Sequence, residues 1–174
     1  MKTHFFQDLA EFVLTKGNYD LGISLVTSFQ LPVVKVMSRV VSGMIYATQY
    51  KEAEELITRS YSLVQQDEDW DQFLLACIRI FSDNGISTIE NPPTHIPEGQ
   101  SNIAFKLAES SLIRAEPNRI EAMIACGKLK SAYLLAVKAN DRSKVKRILE
   151  EADLKGFTTE KRLCEKWLAL SPES

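Results

Sequence analysis

Glycine and proline are scarce, seven and six in a chain of 174 residues. Together they make about 7%, against roughly 12% in average usage. A sandwich or barrel of many short strands needs a turn signal every 8–12 residues or so, so that class is excluded first. Histidine occurs only as His4 and His95, and cysteine only as Cys77, Cys126 and Cys164. With no CxxC pair, a tetrahedral zinc site has no nucleus. The cysteines are odd in number, far apart and each set in an apolar helical pattern, which predicts free buried thiols in a reducing compartment. No charge sign dominates: 21 Lys+Arg stand against 23 Asp+Glu, a net charge of −2. That balance argues against nucleic acid as a partner.

Long hydrophobic runs are missing too. The longest uncharged stretch, Leu21 to Val34, is broken by Pro32 and falls short of the roughly 20 apolar residues a membrane span needs. Asp8 and Glu11 interrupt the first apolar run, which spoils both a secretory signal and an acid-poor transit peptide. A soluble cytoplasmic chain is the expectation. No phosphate-binding loop, dinucleotide fingerprint, HExxH motif or nucleophile elbow occurs. Nothing therefore predicts an enzyme, a cofactor, a metal or a small-molecule substrate.

What is present is helical periodicity on a 45% hydrophobic background. Phe5, Leu9, Phe12 and Val13 fall at i, i+4, i+7 and i+8, and Gly17 marks the first stop. Further helices are predicted from about Tyr19 to Phe29, from Pro32 to Thr48, from Tyr50 to Val64 and from Glu68 to Ser82. Residues 83–100 then carry three of the six prolines, including the vicinal Pro92 and Pro93, and read as a loop or linker. Beyond it, a helix capped by Ser101 or Asn102 is expected to reach Ala115. The next runs from Pro117 to Cys126, and others follow at about 129–139, 143–155 and 158–170. Residues 1–82 and 101–174 are thus predicted as two runs of helical repeats on either side of the 83–100 stretch. Together they form one continuous stack of about ten helices.

A weak internal repeat supports stacking. Around Tyr19, Tyr50 and Leu129 a large residue is followed three positions later by a small one: Gly22, Ala53 and Ala132. An apolar pair comes three further on: Leu25 and Val26, Leu56 and Ile57, Leu135 and Ala136. Small residues let two helices approach, and the apolar pair fills the space to the next unit. The spacings of 31 and 79 residues (50 − 19 and 129 − 50) are not a clean period. The fold class predicted is all-α, an irregular α-solenoid of stacked helix pairs with tetratricopeptide-like character. Tyr133, Leu134, Val137, Ile148, Leu149, Leu163, Trp167 and Leu168 are its expected C-terminal core.

Three clusters could carry chemistry. His95 and Glu98 resemble a base with its orienting acid but read as solvated loop residues. Glu68, Asp69, Trp70 and Asp71 lack the ligand pattern and glycine of a calcium loop. They read as acids favoured at a helix start, with Asp67 as the cap. Between positions 128 and 147 stand seven basic residues against the single acid Asp141: Lys128, Lys130, Lys138, Arg142, Lys144, Lys146 and Arg147. They form a candidate patch for an acidic partner or anionic lipid, and the alternative function is a peripheral, anion-binding helical module. With only Tyr133 interleaved, base stacking has no support.

The stretch from Ala125, ACGKLKSAYLLAVKANDRSKVKRILEEA followed by RLCEKWLALS, resembles the C-terminal region of the spastizin family of large FYVE zinc-finger proteins. The resemblance rests on the CGKLKSAYL-AVK segment, Cys126 to Lys138, and on Cys164, Trp167 and Leu168 of a Cys-x-x-Trp-Leu helix. It implies a non-catalytic scaffold, with spatacsin and adaptor protein complex 5 as partners on late endosomes and lysosomes. It further implies links to lysosome reformation, autophagy, cytokinesis at the midbody, the centrosome and DNA double-strand break repair. The family's FYVE finger, with its paired CxxC ligands, has no counterpart in these residues, so no lipid-reading residue is implied. Membrane association would come through that finger or through partners.

Overall fold

The computed structural model describes residues 2–83 and 98–171. Ten α-helices occupy them: α1 (Lys2–Thr15), α2 (Tyr19–Ser28), α3 (Val33–Tyr46), α4 (Tyr50–Ser60), α5 (Asp67–Asp83), α6 (Glu98–Glu109), α7 (Glu116–Ala125), α8 (Leu129–Lys138), α9 (Arg142–Lys155) and α10 (Thr158–Leu170). A 3₁₀ turn, Tyr61–Leu63, follows α4, so the helix predicted to reach Val64 ends a turn early. α6 begins at Glu98 and ends at Glu109, earlier at both ends than the predicted Ser101–Ala115. Asp67 lies within the first turn of α5 and is not its cap.

The helices pack as five antiparallel pairs: α1 with α2, α3 with α4, α5 with α6, α7 with α8, and α9 with α10. The first members form a continuous row, each of α1, α3, α5, α7 and α9 touching the next. This is the solenoid the repeat predicted, and one hydrophobic cluster runs through it from Ala10 to Cys164. Gly22, Ala53 and Ala132 are all buried in second members of pairs, α2, α4 and α8. The uneven 79-residue spacing has a simple cause: α6, another second member, falls between α4 and α8 without the same text.

Six of the connections are built alike. Gly17, Gln30, Thr48, Gly127, Asn140 and Gly156 all have positive φ just past a helix. In each case the next N–H bonds back five residues, as in Asn18 to Val13 O (3.2 Å) and Gln49 to Met44 O (2.8 Å). This Schellman arrangement satisfies orphaned carbonyls and reverses the chain within two or three residues, which keeps successive helices antiparallel. Three of the six use glycine, as expected where L residues are strained. Thr48, β-branched at φ +62°, holds the same turn without that freedom.

Ion pairs cross the steps of the stack: Glu11 with Arg39 (3.3 Å), Asp20 with Arg59 (3.1 Å), Glu54 with Lys106, and Glu121 with Lys144 (2.6 Å). Exposed pairs contribute only about 0–1 kcal/mol each. Burial of the apolar stripes therefore supplies the stability, and the charges help set which helix meets which.

Candidate interaction surface

The seven basic residues share α8, α9 and the turns beside them, but their charges are not equally available. Lys128 immediately precedes α8, its ammonium 5.0 Å from the Phe105 ring centre. Arg142 opens α9, and its guanidinium donates to the carbonyls of Leu168 (3.1 Å) and Ser171 (2.6 Å), closing the end of α10. Lys144 pairs with Glu121 of α7, and Arg147 pairs with Glu151 one turn along α9 at 2.9 Å. Lys130, Lys138 and Lys146 are exposed. The last three have no acidic partner among the described residues. The structure thus engages four of the seven as fastenings around the C-terminal helices, with Arg142 and Lys144 partly buried and Lys128 and Arg147 still exposed. Sequence counting sums charge and cannot see that use.

Glu151 sits amid Arg147 and Lys155, 3.5 Å from the latter. Partial burial raises its pKa, but the Arg147 hydrogen bond and the two nearby positive charges outweigh that and hold it below the ordinary glutamate value. Arg79, Asp83 and Glu121 join these three around a charged cleft of about 210 Å³ between α5, α7 and α9.

The acidic start of α5 holds a group whose role composition missed. Asp71 is fully buried and accepts hydrogen bonds from the backbone N–H of Arg114 (2.8 Å), the N–H of Ala115 (2.8 Å) and the Asn118 side chain (2.9 Å). Beside it the Trp70 indole N–H donates to Leu112 O at 2.8 Å. The Arg114 guanidinium lies 4.5 Å from the Tyr61 ring centre and donates to the carbonyls of Tyr61 and Val64 and to Asp67. One acid and one aromatic of α5 thereby grip the α6–α7 connection. The signal was readable: Asp71, Leu74, Leu75 and Ile78 fall at i, i+3, i+4 and i+7, so a carboxylate stands in a core stripe and must be satisfied. Two open clefts flank this joint. One, of about 590 Å³, is lined by Tyr61, Gln65, Asp67 and Arg114 among others. The other, of about 570 Å³, lies between the start of α3 and the Leu63–Gln66 segment.

Among the described residues, the nucleophilic thiols are Cys77, Cys126 and Cys164. Burial pushes the Cys77 thiol up to about 12 and those of Cys126 and Cys164 to about 11, so all three stay protonated near neutrality. All are free, and Cys126 is only half-buried, in contrast with the expectation of three buried thiols. Among the described residues no group of three or more His, Cys, Asp or Glu side chains is placed to hold a metal ion. No helix of those residues is long and apolar enough to cross a membrane. His95 and the proline-rich stretch lie outside the described residues.

The expected C-terminal core holds in part. Ile148 is fully buried, and Tyr133, Val137, Leu149, Trp167 and Leu168 pack half-buried against the core. Leu163 is also half-buried. Leu134 is a correction, being 58% exposed. The buried face of α8 is Leu129, Ala132 and Ala136, and Leu134, two residues beyond Ala132, is turned roughly 200° away from it.

Comparison with known proteins agrees with this architecture. The family model described as ZFYVE26-like, TPR repeats matches residues 32–169. Protein DDB_G0276689 of Dictyostelium discoideum is 26% identical over 147 residues, which is 83% of this chain and 5% of that protein. Zinc finger FYVE domain-containing protein 26 is 25% identical over 177 aligned positions in both Ailuropoda melanoleuca and Homo sapiens, covering 97% of this chain and 6% of each relative. The chain thus spans about a twentieth of the length of the curated relatives it matches. No solved structure matches it.

Proposed function

Because the chain belongs to the ZFYVE26-like family of TPR repeats, we propose that it is a non-catalytic helical-repeat scaffold that binds proteins of endolysosomal trafficking. The observation that carries this reading is the stack itself. Five helix pairs share one continuous core and present two long rows of helices, a geometry suited to holding extended partners. Protonated thiols, two of them buried, and the scatter of titratable groups among the described residues support assembly over chemistry. The resemblance to spastizin supplies the partners: spatacsin and adaptor protein complex 5, on late endosomes and lysosomes. Lysosome reformation, autophagy and cytokinesis are the processes served, with double-strand break repair as a further link.

Affinity capture with the tagged chain as bait tests this reading. Spatacsin or adaptor subunits are the expected catch, in register with late endosomal and lysosomal markers on imaging. Recovery of neither, with the bait folded, overturns the partner assignment. A second reading gives Lys130, Lys138 and Lys146 to anionic headgroups. Three lysines near a charged membrane supply about 1 kcal/mol each, so flotation with phosphatidylserine vesicles is expected to be weak and lost in salt. Absence of flotation even at low salt removes it.

A further inference from the structure

The first pair of the stack carries an apolar face that nothing among the described residues covers. Phe5 and Phe12 are 64% and 60% exposed, Leu21 48% and Phe29 43%. Seven residues apart, Phe5 and Phe12 share one side of α1. The core side of that helix is Gln7, Ala10 and Leu14, and Glu11 reaches α3 through Arg39 on the opposite flank. Phe6 and Leu9 are half-buried between them. Phe6 stacks on Phe29 with ring centres 3.7 Å apart, and Phe5 meets Phe6 edge-on at 5.5 Å. Four exposed side chains therefore wall a groove between α1 and α2, floored by Phe6 and Leu9.

The same chain shows what covers such a groove. α8, the second helix of its pair, lies against both α9 and α10 of the following pair. It runs antiparallel to α9, so its first turn sits beside the last turn of α9. At the corresponding end of α1 stands Lys16, 5.4 Å from the Phe12 ring centre and without an acidic partner among the described residues. We propose that the α1–α2 groove docks an amphipathic α-helix of a partner protein, antiparallel to α1. Its aliphatic stripe would lie on Phe5, Phe12, Leu21 and Phe29, and a carboxylate of its first turn would meet Lys16. An acid is at home there, because a helix N-terminus favours negative charge. Helix-in-groove recognition of this kind is anchored at i, i+3, i+4 and i+7. A second copy of the chain is the poorer occupant: antiparallel pairing of two α1 helices brings each Lys16 toward a first turn that contains no acid.

The inference rests on the scaffold reading, yet its test needs no cellular partner, so affinity capture and this test can fail separately. The probes are two fluorescein-labelled helical peptides of residues 127–140, one with the chain's own α8 sequence and one carrying Lys130→Glu, which places an acid in the first turn. Fluorescence anisotropy against the full chain is expected to show the Lys130→Glu peptide binding about fivefold more tightly than its parent, the scale of an exposed ion pair. Lys16→Glu in the chain should reverse that order, and Phe12→Asp should abolish binding of both. Both substitutions are at exposed positions, and an unchanged melting curve verifies folding. No anisotropy change up to millimolar peptide overturns the proposal. So does equal binding by the Phe12→Asp chain, or an order unmoved by Lys16→Glu. A dimer in light scattering that Phe12→Asp dissolves overturns it too, by assigning the face to a second copy.

Discussion

Alanine at position 22 would carry its Cβ 2.4 Å from both Cγ and Cδ2 of Leu14. Carbon atoms rest at roughly 3.5–4.0 Å, so two contacts are more than an ångström too short. Leu14 has no room to retreat, being fully buried where α1 meets α2. Overpacking of this kind costs about 1–3 kcal/mol. Alanine regains about 1 kcal/mol of helix propensity over glycine, so Gly22→Ala is expected to destabilise by a net amount of up to about 2 kcal/mol. For a chain of this size that lowers the melting temperature by up to roughly 8 °C. Gly43 is the internal control. It lies inside α3, is exposed, and an added Cβ meets nothing within 4 Å. Gly43→Ala should therefore stabilise by about 0.5–1 kcal/mol. Urea unfolding followed by far-UV circular dichroism reads both. Combining Gly22→Ala with Leu14→Ala should show a favourable coupling of about 1 kcal/mol or more, because the second change removes the clashing atoms. If the two glycine substitutions shift stability in the same direction, the close approach of α1 and α2 is not the reason glycine stands at position 22.

Leu149→Asp should cost several kcal/mol by placing a charge against the core. Leu134→Asp should stay within about 0.5 kcal/mol, and thermal melts that rank the pair otherwise contradict the burial assigned to α8 and α9. Asp71→Asn keeps the shape but places an NH₂ where backbone N–H groups donate, so a loss of about 2–3 kcal/mol is expected in urea titrations. A neutral result would mean the joint with the α6–α7 connection carries little. Glu151 has a folded pKa below its unfolded value. Its contribution is present above the unfolded pKa, about 4.3, and is lost as pH falls through the folded one. Stability measured from pH 6 down to 3 should therefore fall less steeply in Glu151→Gln than in the parent chain. Parallel curves would count against the Arg147–Glu151–Lys155 arrangement.

Much of this fold was legible because helical burial writes itself in periodicity. The stripes of α4 (Ala53, Leu56, Ile57, Ser60) and α5 (Trp70, Phe73, Leu74, Cys77, Ile78, Phe81) are buried as their spacing predicts. Half-buried helices were harder. The apolar run of α8 from Ala132 to Val137 offers several stripes, and only its neighbours decide that Ala132 and Ala136 face inward while Leu134 faces out. The basic stretch shows the deeper limit. Charge is counted along the chain, but Glu121, which engages Lys144, is 23 residues away, and the carbonyls that engage Arg142 belong to another helix. Asp71 was visible as an acid in an apolar stripe, although nothing local says that its partners are main-chain groups more than forty residues on.

That Asp71 grips mainly backbone has a consequence for how the chain can change. An amide N–H is supplied by every residue but proline, so the side chain at position 115 is left free by this joint. Asp71 and Trp70 of α5, the Asn118 amide and the path of the α6–α7 connection are what must persist. A joint of this kind holds its two elements together while the surrounding residues drift, and surface positions on either side can be rewritten for new partners without loosening the stack.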